Sequence, residues 1–283
     1  MSDSCFRTEE MRPTVLLRSG AASPPLFITH GLGGDIAEVR ALVDQIATNR
    51  PVYGLQAKGL HDAGSPDESI EAMAEYFLGG ILEVQTHGPY LLAGLSFGGL
   101  VVLEIAQLLK QRGEKIALLA LLDSYPDARY WPLRSWISVI IRRFFEQAHS
   151  VVKLPPRQAI SRVTQLSGGL IEHVRRRKGA LPQWVREGQS EQGGADKVHR
   201  LRHACMIAMG RYTPRYYDGK VVFLKSELST RFPSSPVAIW RDLVRSLEIH
   251  RVPGDHLAII AAHVDIVGAH LSSSIDHGLR ESS

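Results

Sequence analysis

The sequence has very little cysteine and no long apolar segment. Cys5 and Cys205 are the only cysteines in 283 residues, and their separation matches neither a disulfide framework nor a metal site. No stretch reaches the roughly 20 apolar residues of a membrane span, and the charged N-terminus lacks a signal-peptide core. We therefore expect a cytoplasmic protein in a reducing compartment, with no membrane contact.

The chain also lacks a strong excess of charge. Its formal net charge is +4, a mild imbalance that favours acidic partners without requiring nucleic acid, so no nucleic-acid partner is expected. The densest basic run, RRRK at 175–178, has no interleaved aromatic residue. This run predicts a solvated helix face, and contact with an acidic carrier protein is the alternative.

The most informative motif is GLSFGG at 94–99. An apolar strand pattern at 90–93 precedes it, and an apolar helix pattern at 100–109 follows, ending at Gly113. Glycines two positions on either side of Ser96 leave room for a turn sharp enough to expose a nucleophilic hydroxyl. The motif and its context predict a nucleophile elbow, and an idle serine in a glycine-rich turn is the alternative.

Strand and helix patterns alternate along most of the chain. This alternation predicts one α/β domain over residues 1–283, with a mostly parallel sheet flanked by helices. From about 126 to 210 the pattern is helical, which predicts a lid inserted between two strands. Strands are predicted at 26–29, 52–55, 90–93, 116–122, 219–224 and 247–252, and helices at 36–46, 65–84 and 100–109 and from the loop after 252 to about 271.

A serine nucleophile needs a histidine base and a carboxylate that orients it. His256 follows the last strand, so it belongs to the sheet edge on which Ser96 projects, and we take it as the base. Three carboxylates are candidates for the acid. Asp123 ends the strand after the nucleophile's helix and is favoured, Glu227 ends the next strand, and Asp255 adjoins the base.

A tetrahedral intermediate also needs donors for its negative oxygen, and backbone N–H groups suffice. One is expected from Phe97, at the start of the helix after Ser96. The second is expected from Leu32, within the glycine-rich string HGLGG at 30–34.

Within the predicted lid, apolar and aromatic residues recur at near-helical spacing. Packing of a lid helix on the body is one interpretation, an acyl-binding tunnel is a second, and a homodimer surface is a third. The candidate substrate residues in this cluster are Trp131, Trp136, Ile140 and Phe144.

Several motifs together resemble the thioesterase domains that release products from polyketide synthases and nonribosomal peptide synthetases, in the α/β-hydrolase superfamily. The resemblance covers nearly the whole chain. It also supports Asp123 as the acid. It rests on VYGLQAKGL at 52–60, GLSFGG at 94–99, LLDS at 121–124, YYDGKV at 216–221 and GDH at 254–256.

The resemblance implies attack of Ser96 on a thioester that joins an acyl, polyketide or peptidyl chain to the phosphopantetheine of a carrier protein, fused or in trans. Water would then open the acyl-serine intermediate to give a free acid, or a nucleophile within the chain would open it to give a ring. No metal and no cofactor beyond the substrate's own pantetheine is expected. A carboxylesterase or lipase acting on oxygen esters and a non-catalytic binding scaffold are the alternatives, and a stand-alone enzyme and an excised terminal domain both remain open.

Overall fold

The structure is a computed structural model that describes residues 12–61, 64–151, 174–175, 177–178, 197–228 and 232–282. Its strands form one seven-stranded sheet in the order β1-β3-β2-β4-β5-β6-β7. Only β1 is antiparallel to its neighbour, β3, and every other pair is parallel. The strands are β1 (Thr14–Arg18), β2 (Leu26–Thr29), β3 (Val52–Leu55), β4 (Tyr90–Leu95), β5 (Ile116–Leu122), β6 (Tyr217–Ser226) and β7 (Val244–Val252).

Helices cover both faces of this sheet. The described helices are α1 (Arg40–Gln45), which follows a 3-10 turn at Ile36–Val39, α2 (Ile70–Val84), α3 (Phe97–Gln111), α4 (Leu133–Val151), α5 (Lys197–Arg211), the short α6 (Val237–Trp240) and α7 (Val264–Ser282). Helices α2 and α3 pack together on one face, and α1 and α7 pack together on the other. This α/β architecture confirms the fold predicted from the alternating pattern.

The continuous apolar runs of the central strands are explained by this double cover. In β4, Tyr90 and Leu92 belong to the core beneath α2 and α3, whereas Leu91, Ala93 and Leu95 belong to the core beneath α1 and α7. Because successive side chains of a strand point to opposite faces, a strand buried on both sides must be apolar throughout.

Some predicted boundaries were wrong. Helix α2 begins at Ile70 rather than near Ser65, and its N-cap is Ser69, whose side chain accepts a hydrogen bond from the Ala72 amide. Helix α7 continues to Ser282 instead of ending near Leu271. Strand β1 and helix α6 were not predicted.

The predicted lid at 126–210 is described only in part. Its described residues include a 3-10 turn at Ala128–Tyr130, α4 and nearly all of α5, and none of them forms a strand. Residues 152–173, 176 and 179–196 lie outside the described part of the chain. The bounds of the insertion therefore stay a prediction.

Candidate active site

Ser96 occupies the turn between β4 and α3, with φ 52° and ψ −115°. This is the elbow that the glycine spacing predicts. A Cβ on Gly98 would lie 2.1 Å from the carbonyl oxygen of His30, and one on Gly94 would lie 2.5 Å from that of Gly98. Only glycine fits at these two places, because the backbone of the turn passes too close to its neighbours for a side chain.

His256 connects Ser96 to Asp123. Its Nε2 lies 2.9 Å from Ser96 Oγ, and its Nδ1 lies 2.9 Å from Asp123 Oδ2. A carboxylate accepts the proton on Nδ1, which leaves the lone pair of Nε2 free to take the proton of the serine. The three residues thus form one hydrogen-bonded chain at the carboxyl edge of the sheet, where β4, β5 and β7 end.

Asp123 is completely buried and has φ 49°. Its Oδ2 also accepts a hydrogen bond from Ser226 Oγ at 2.6 Å, and the Asp123 amide donates to the Leu224 carbonyl at 2.8 Å. β6, which carries both of these partners, pairs directly with β5. The neighbouring strand therefore fixes both the backbone and the carboxylate of Asp123.

The other two carboxylates lie elsewhere. Glu227 is exposed, and its amide donates to the Val252 carbonyl. Asp255 accepts hydrogen bonds from the amides of Leu257 and Ala258, so it caps the turn that follows it. Of the three candidates, the geometry brings only Asp123 to the histidine ring, and its catalytic role stays a prediction.

Sequence reasoning missed two side chains that contact the hydrogen-bonded chain. One is Ser226. The other is Phe232, whose ring centroid lies 5.1 Å from that of His256 and 4.7 Å from that of Tyr125. The guanidinium of Arg142, on α4, donates to the carbonyl of Phe232 at 2.5 Å. The strand end offered a signal for Ser226, but nothing local indicates Phe232, which reaches the site only through tertiary packing.

The two predicted oxyanion donors, Leu32 and Phe97, line one cavity together with Ser96. Phe97 is the first residue of α3, so its amide has no acceptor within the helix. Within the described ranges no acceptor contacts the Leu32 amide either. Both amides can therefore donate a hydrogen bond to a substrate oxygen, which is the first requirement for an oxyanion donor.

This cavity has a volume of about 300 Å³ and lies under the described part of the lid. Of the predicted lid residues, Trp131, Trp136 and Ile140 line it, whereas Phe144 does not and is 57% exposed. Phe144 lies one helical turn beyond Ile140, where its side chain is open to solvent, and its role as a substrate residue stays a prediction. The remaining lining residues are Tyr125, Pro126, Asp127, Ala128, Val139, Arg143, Met206, Met209 and Phe232.

A second cleft, of about 400 Å³, lies at the amino ends of β5 and β6. Three of its charged side chains form ion pairs, since Lys220 pairs with Glu248 at 2.8 Å and with Glu281 at 3.6 Å. Since the elbow opens at the other end of the strands, the smaller cavity is the candidate substrate site.

The described ranges contain neither a membrane-spanning helix nor a cluster of metal ligands. No helix there is long and apolar enough to cross a membrane. No group of three or more histidine, cysteine, aspartate or glutamate side chains there could hold a metal ion.

The mostly parallel sheet and its elbow place the protein in the α/β-hydrolase class. A model of the thioesterase domain family matches residues 24–275. The chain therefore belongs to the thioesterase domain family.

Individual relatives agree with this assignment. The chain is 28% identical over 248 residues to malpibaldin synthetase of Mortierella alpina. This match covers 85% of the chain but only 4% of the synthetase. Among solved structures it is similar to holo-AB3403, a four-domain nonribosomal peptide synthetase, with a TM-score of 0.64, 23% identity and coverage of 93% of this chain and 20% of that one. The chain is also similar to the NocB thioesterase domain, with a TM-score of 0.56 and 22% identity. This match covers 92% of the chain and 95% of the NocB domain.

Proposed function

We propose that this thioesterase releases an acyl, polyketide or peptidyl chain from the phosphopantetheine thioester of a carrier protein, through an acyl-Ser96 intermediate. The observation that carries the proposal is the position of His256, with one ring nitrogen on Ser96 and the other on Asp123. This arrangement supplies a nucleophile, a base and an orienting carboxylate.

In the first step, the oxygen of Ser96 attacks the thioester carbonyl carbon while Nε2 of His256 takes the hydroxyl proton. The carbonyl oxygen becomes negative and is met by the amides of Leu32 and Phe97. When the intermediate collapses, the carbon–sulfur bond breaks, and the pantetheine thiolate takes the proton from His256.

In the second step, His256 takes a proton from water or from a hydroxyl or amine of the bound chain. That nucleophile attacks the acyl-serine ester, and the Ser96 oxygen leaves with the proton. Water gives a free acid, and an internal nucleophile gives a ring. No bound cofactor is needed, because the pantetheine belongs to the substrate.

The composition of the cavity supports an apolar acyl chain. Apolar and aromatic side chains, with two methionines among them, make up most of its described lining, and such surfaces bind apolar groups without strict geometric demands. The carrier protein, whether fused or separate, would deliver the thioester to Ser96 from outside the cavity.

The test compares the wild-type protein with Ser96→Ala on acyl-pantetheine thioesters, with release of free thiol as the readout. Ser96→Ala is expected to lower turnover by about a thousandfold or more. The control is Ser138→Ala, whose hydroxyl is exposed and bonds only within α4, and which should keep full activity. Intact-mass measurement should detect an acyl or fluorophosphonate adduct on wild-type protein that Ser96→Ala lacks.

Matched thioester and oxoester substrates of equal chain length decide the substrate class. A clear preference for the oxoester would favour a carboxylesterase. Undiminished turnover by Ser96→Ala would reject the mechanism, and an absence of both adduct and turnover in the wild-type protein would indicate a binding scaffold.

A further inference from the structure

The loop that carries the Leu32 amide is held from two sides by side chains that the reaction itself does not use. On one side, Nδ1 of His30 lies 2.7 Å from the carbonyl oxygen of Gly31. On the other, Oε2 of Glu38 accepts a hydrogen bond from the Gly31 amide at 2.9 Å. Both polar backbone groups of Gly31 are thus fixed, although glycine is the residue with the greatest backbone freedom.

These two contacts set the direction of the Leu32 amide. The carbonyl of Gly31 and the amide of Leu32 belong to the same planar trans peptide unit, so they point in opposite directions. A hydrogen bond that draws the carbonyl towards the His30 ring therefore aims the Leu32 amide away from that ring. Since Leu32 lines the cavity with Ser96, the orientation of this one peptide decides whether its donor meets the oxyanion.

Packing alone does not account for His30. Its side chain is buried against the edge of Phe77, and burial lowers the pKa of its imidazole to about 4, so the ring is neutral near pH 7. Because a carbonyl can only accept, the single proton of the neutral ring must be on Nδ1. Its Nε2 then has a lone pair with no partner among the described residues. A buried acceptor without a donor is unfavourable, and an apolar ring would avoid this penalty.

The carboxylate of Glu38 also lies in an environment that disfavours its charge. Burial raises the pKa of its carboxyl group, which shows that the charged form is partly desolvated there. The carboxylate lies so close to the loop that a Cβ on Gly33 would fall 1.8 Å from Oε1. The 3-10 turn that carries Glu38 is itself capped, because Asp35 Oδ1 accepts a hydrogen bond from the Ala37 amide at 2.8 Å.

We propose that His30 and Glu38 are positioning residues that together orient the Gly31–Leu32 peptide as an oxyanion donor. The proposal rests on the proposed function, since it assigns these side chains to the same acyl-transfer step. Neither side chain touches the substrate. Both act through the backbone of Gly31.

The test for His30 separates the effect of its hydrogen-bond donor from the effect of its aromatic ring. His30→Phe keeps an aromatic ring of similar size and loses the donor, whereas His30→Asn loses the ring but keeps an N–H donor two bonds from Cβ, in the place of Nδ1. We expect kcat to fall by about tenfold to a hundredfold in His30→Phe, because a misplaced donor forfeits much of the stabilisation of the oxyanion. His30→Asn should recover part of that loss, whereas a packing role predicts the reverse order.

The test for Glu38 uses Glu38→Gln, which keeps the size of the side chain. The carboxylate accepts from the backbone of both Gly31 and Gly33, and the single oxygen of glutamine can serve only one of these two groups. We expect kcat to fall by about tenfold or more while KM stays within about twofold. Affinity for a trifluoromethyl ketone bearing the same acyl chain, which forms a tetrahedral adduct with Ser96, should weaken by the same factor. The control is Glu68→Gln, an exposed glutamate paired with Arg211 at 3.2 Å, which should leave all three values unchanged.

All rates are normalised to the fraction of protein that a fluorophosphonate labels at completion, so that a poorly folded variant is not mistaken for a slow one. Both thioester and oxoester substrates are measured, because either produces an oxyanion. If His30→Phe and Glu38→Gln keep the wild-type kcat while Ser96→Ala is inactive, the positioning proposal is overturned and the proposed function stands. If Ser96→Ala is active, the proposed function fails.

Discussion

The assignment of Asp123 as the orienting acid leads to a quantitative prediction for Asp123→Asn. Oδ2 of Asp123 accepts hydrogen bonds from both Ser226 Oγ and His256 Nδ1. The other oxygen, Oδ1, accepts a hydrogen bond from the Ser226 amide at 3.4 Å, and an asparagine has only one oxygen for these two positions. If that oxygen stays with the Ser226 amide, the NH₂ group takes the place of Oδ2, faces Nδ1 and forces the imidazole proton onto Nε2, where it points at Ser96 and blocks proton transfer.

The magnitude follows from this wrong tautomer and from the burial of the site. Asp123 is 0% exposed, so water cannot substitute for the lost acceptor. We expect kcat/KM at pH 7 to fall by about 10⁴, which corresponds to about 5 kcal/mol of transition-state stabilisation. Initial rates of thiol release, normalised to folded protein by circular dichroism, measure the effect.

The matched control is Glu227→Gln at the end of the neighbouring strand. Glu227 is exposed, so this substitution should change kcat/KM by less than about twofold. Folded Asp123→Asn with more than about a tenth of wild-type activity would refute the reasoning, as would an equal loss in Glu227→Gln.

Two further predictions concern stability and chain length. Burial lowers the pKa of His30 to about 4, from the usual 6.5. Between these two pH values the unfolded chain binds more protons at this residue than the folded chain. The free energy of unfolding therefore decreases as the pH falls from 6.5 to 4. This decrease amounts to about 3 kcal/mol, and His30→Phe should remove it, so urea unfolding at pH 4.5 and 7.5 should show a smaller difference in the variant than in the wild-type protein. An equal difference in both would contradict this. Met209→Trp should fill part of the 300 Å³ cavity and shift preference towards shorter acyl chains, as a series of acyl-pantetheines would measure, and an unchanged series would place the acyl chain elsewhere.

The sheet and the elbow could be predicted from sequence because they depend on local patterns. Glycine spacing around Ser96, continuous apolar runs and strand-end polar residues each report on a few neighbouring positions. Their positions then constrain the site, because the carboxyl ends of parallel strands meet at one edge. The approximate places of Ser96, Asp123 and His256 follow from this rule alone.

The contacts that the sequence did not predict depend on register across distant strands. Ser226 meets Asp123 only because β6 pairs with β5 so that Leu122 lies opposite Leu224. Glu38 meets Gly31 only because the chain folds back through a 3-10 turn. Neither contact has a periodic signature in the sequence.

The errors in helix ends have a similar origin. The run of serines at 272–274 favours a helix end, yet Val267, Leu271 and Ile275 stay buried beneath the sheet and carry α7 past it. At α2, both Ser65 and Ser69 are suitable caps. The one nearer the first buried residue, Ile70, is used.

The left-handed backbone at Ser96 and Asp123 means that this fold holds its conformational strain where its reactive groups are. Each such residue costs on the order of 1–3 kcal/mol, which well-packed surroundings must outweigh. Both follow central strands whose carboxyl halves are buried on both faces, and the two apolar cores there supply that surplus. A substitution that creates a cavity in either core, far from the mouth of the substrate cavity, would therefore let these two turns relax. Activity would then be lost before the rest of the protein unfolds.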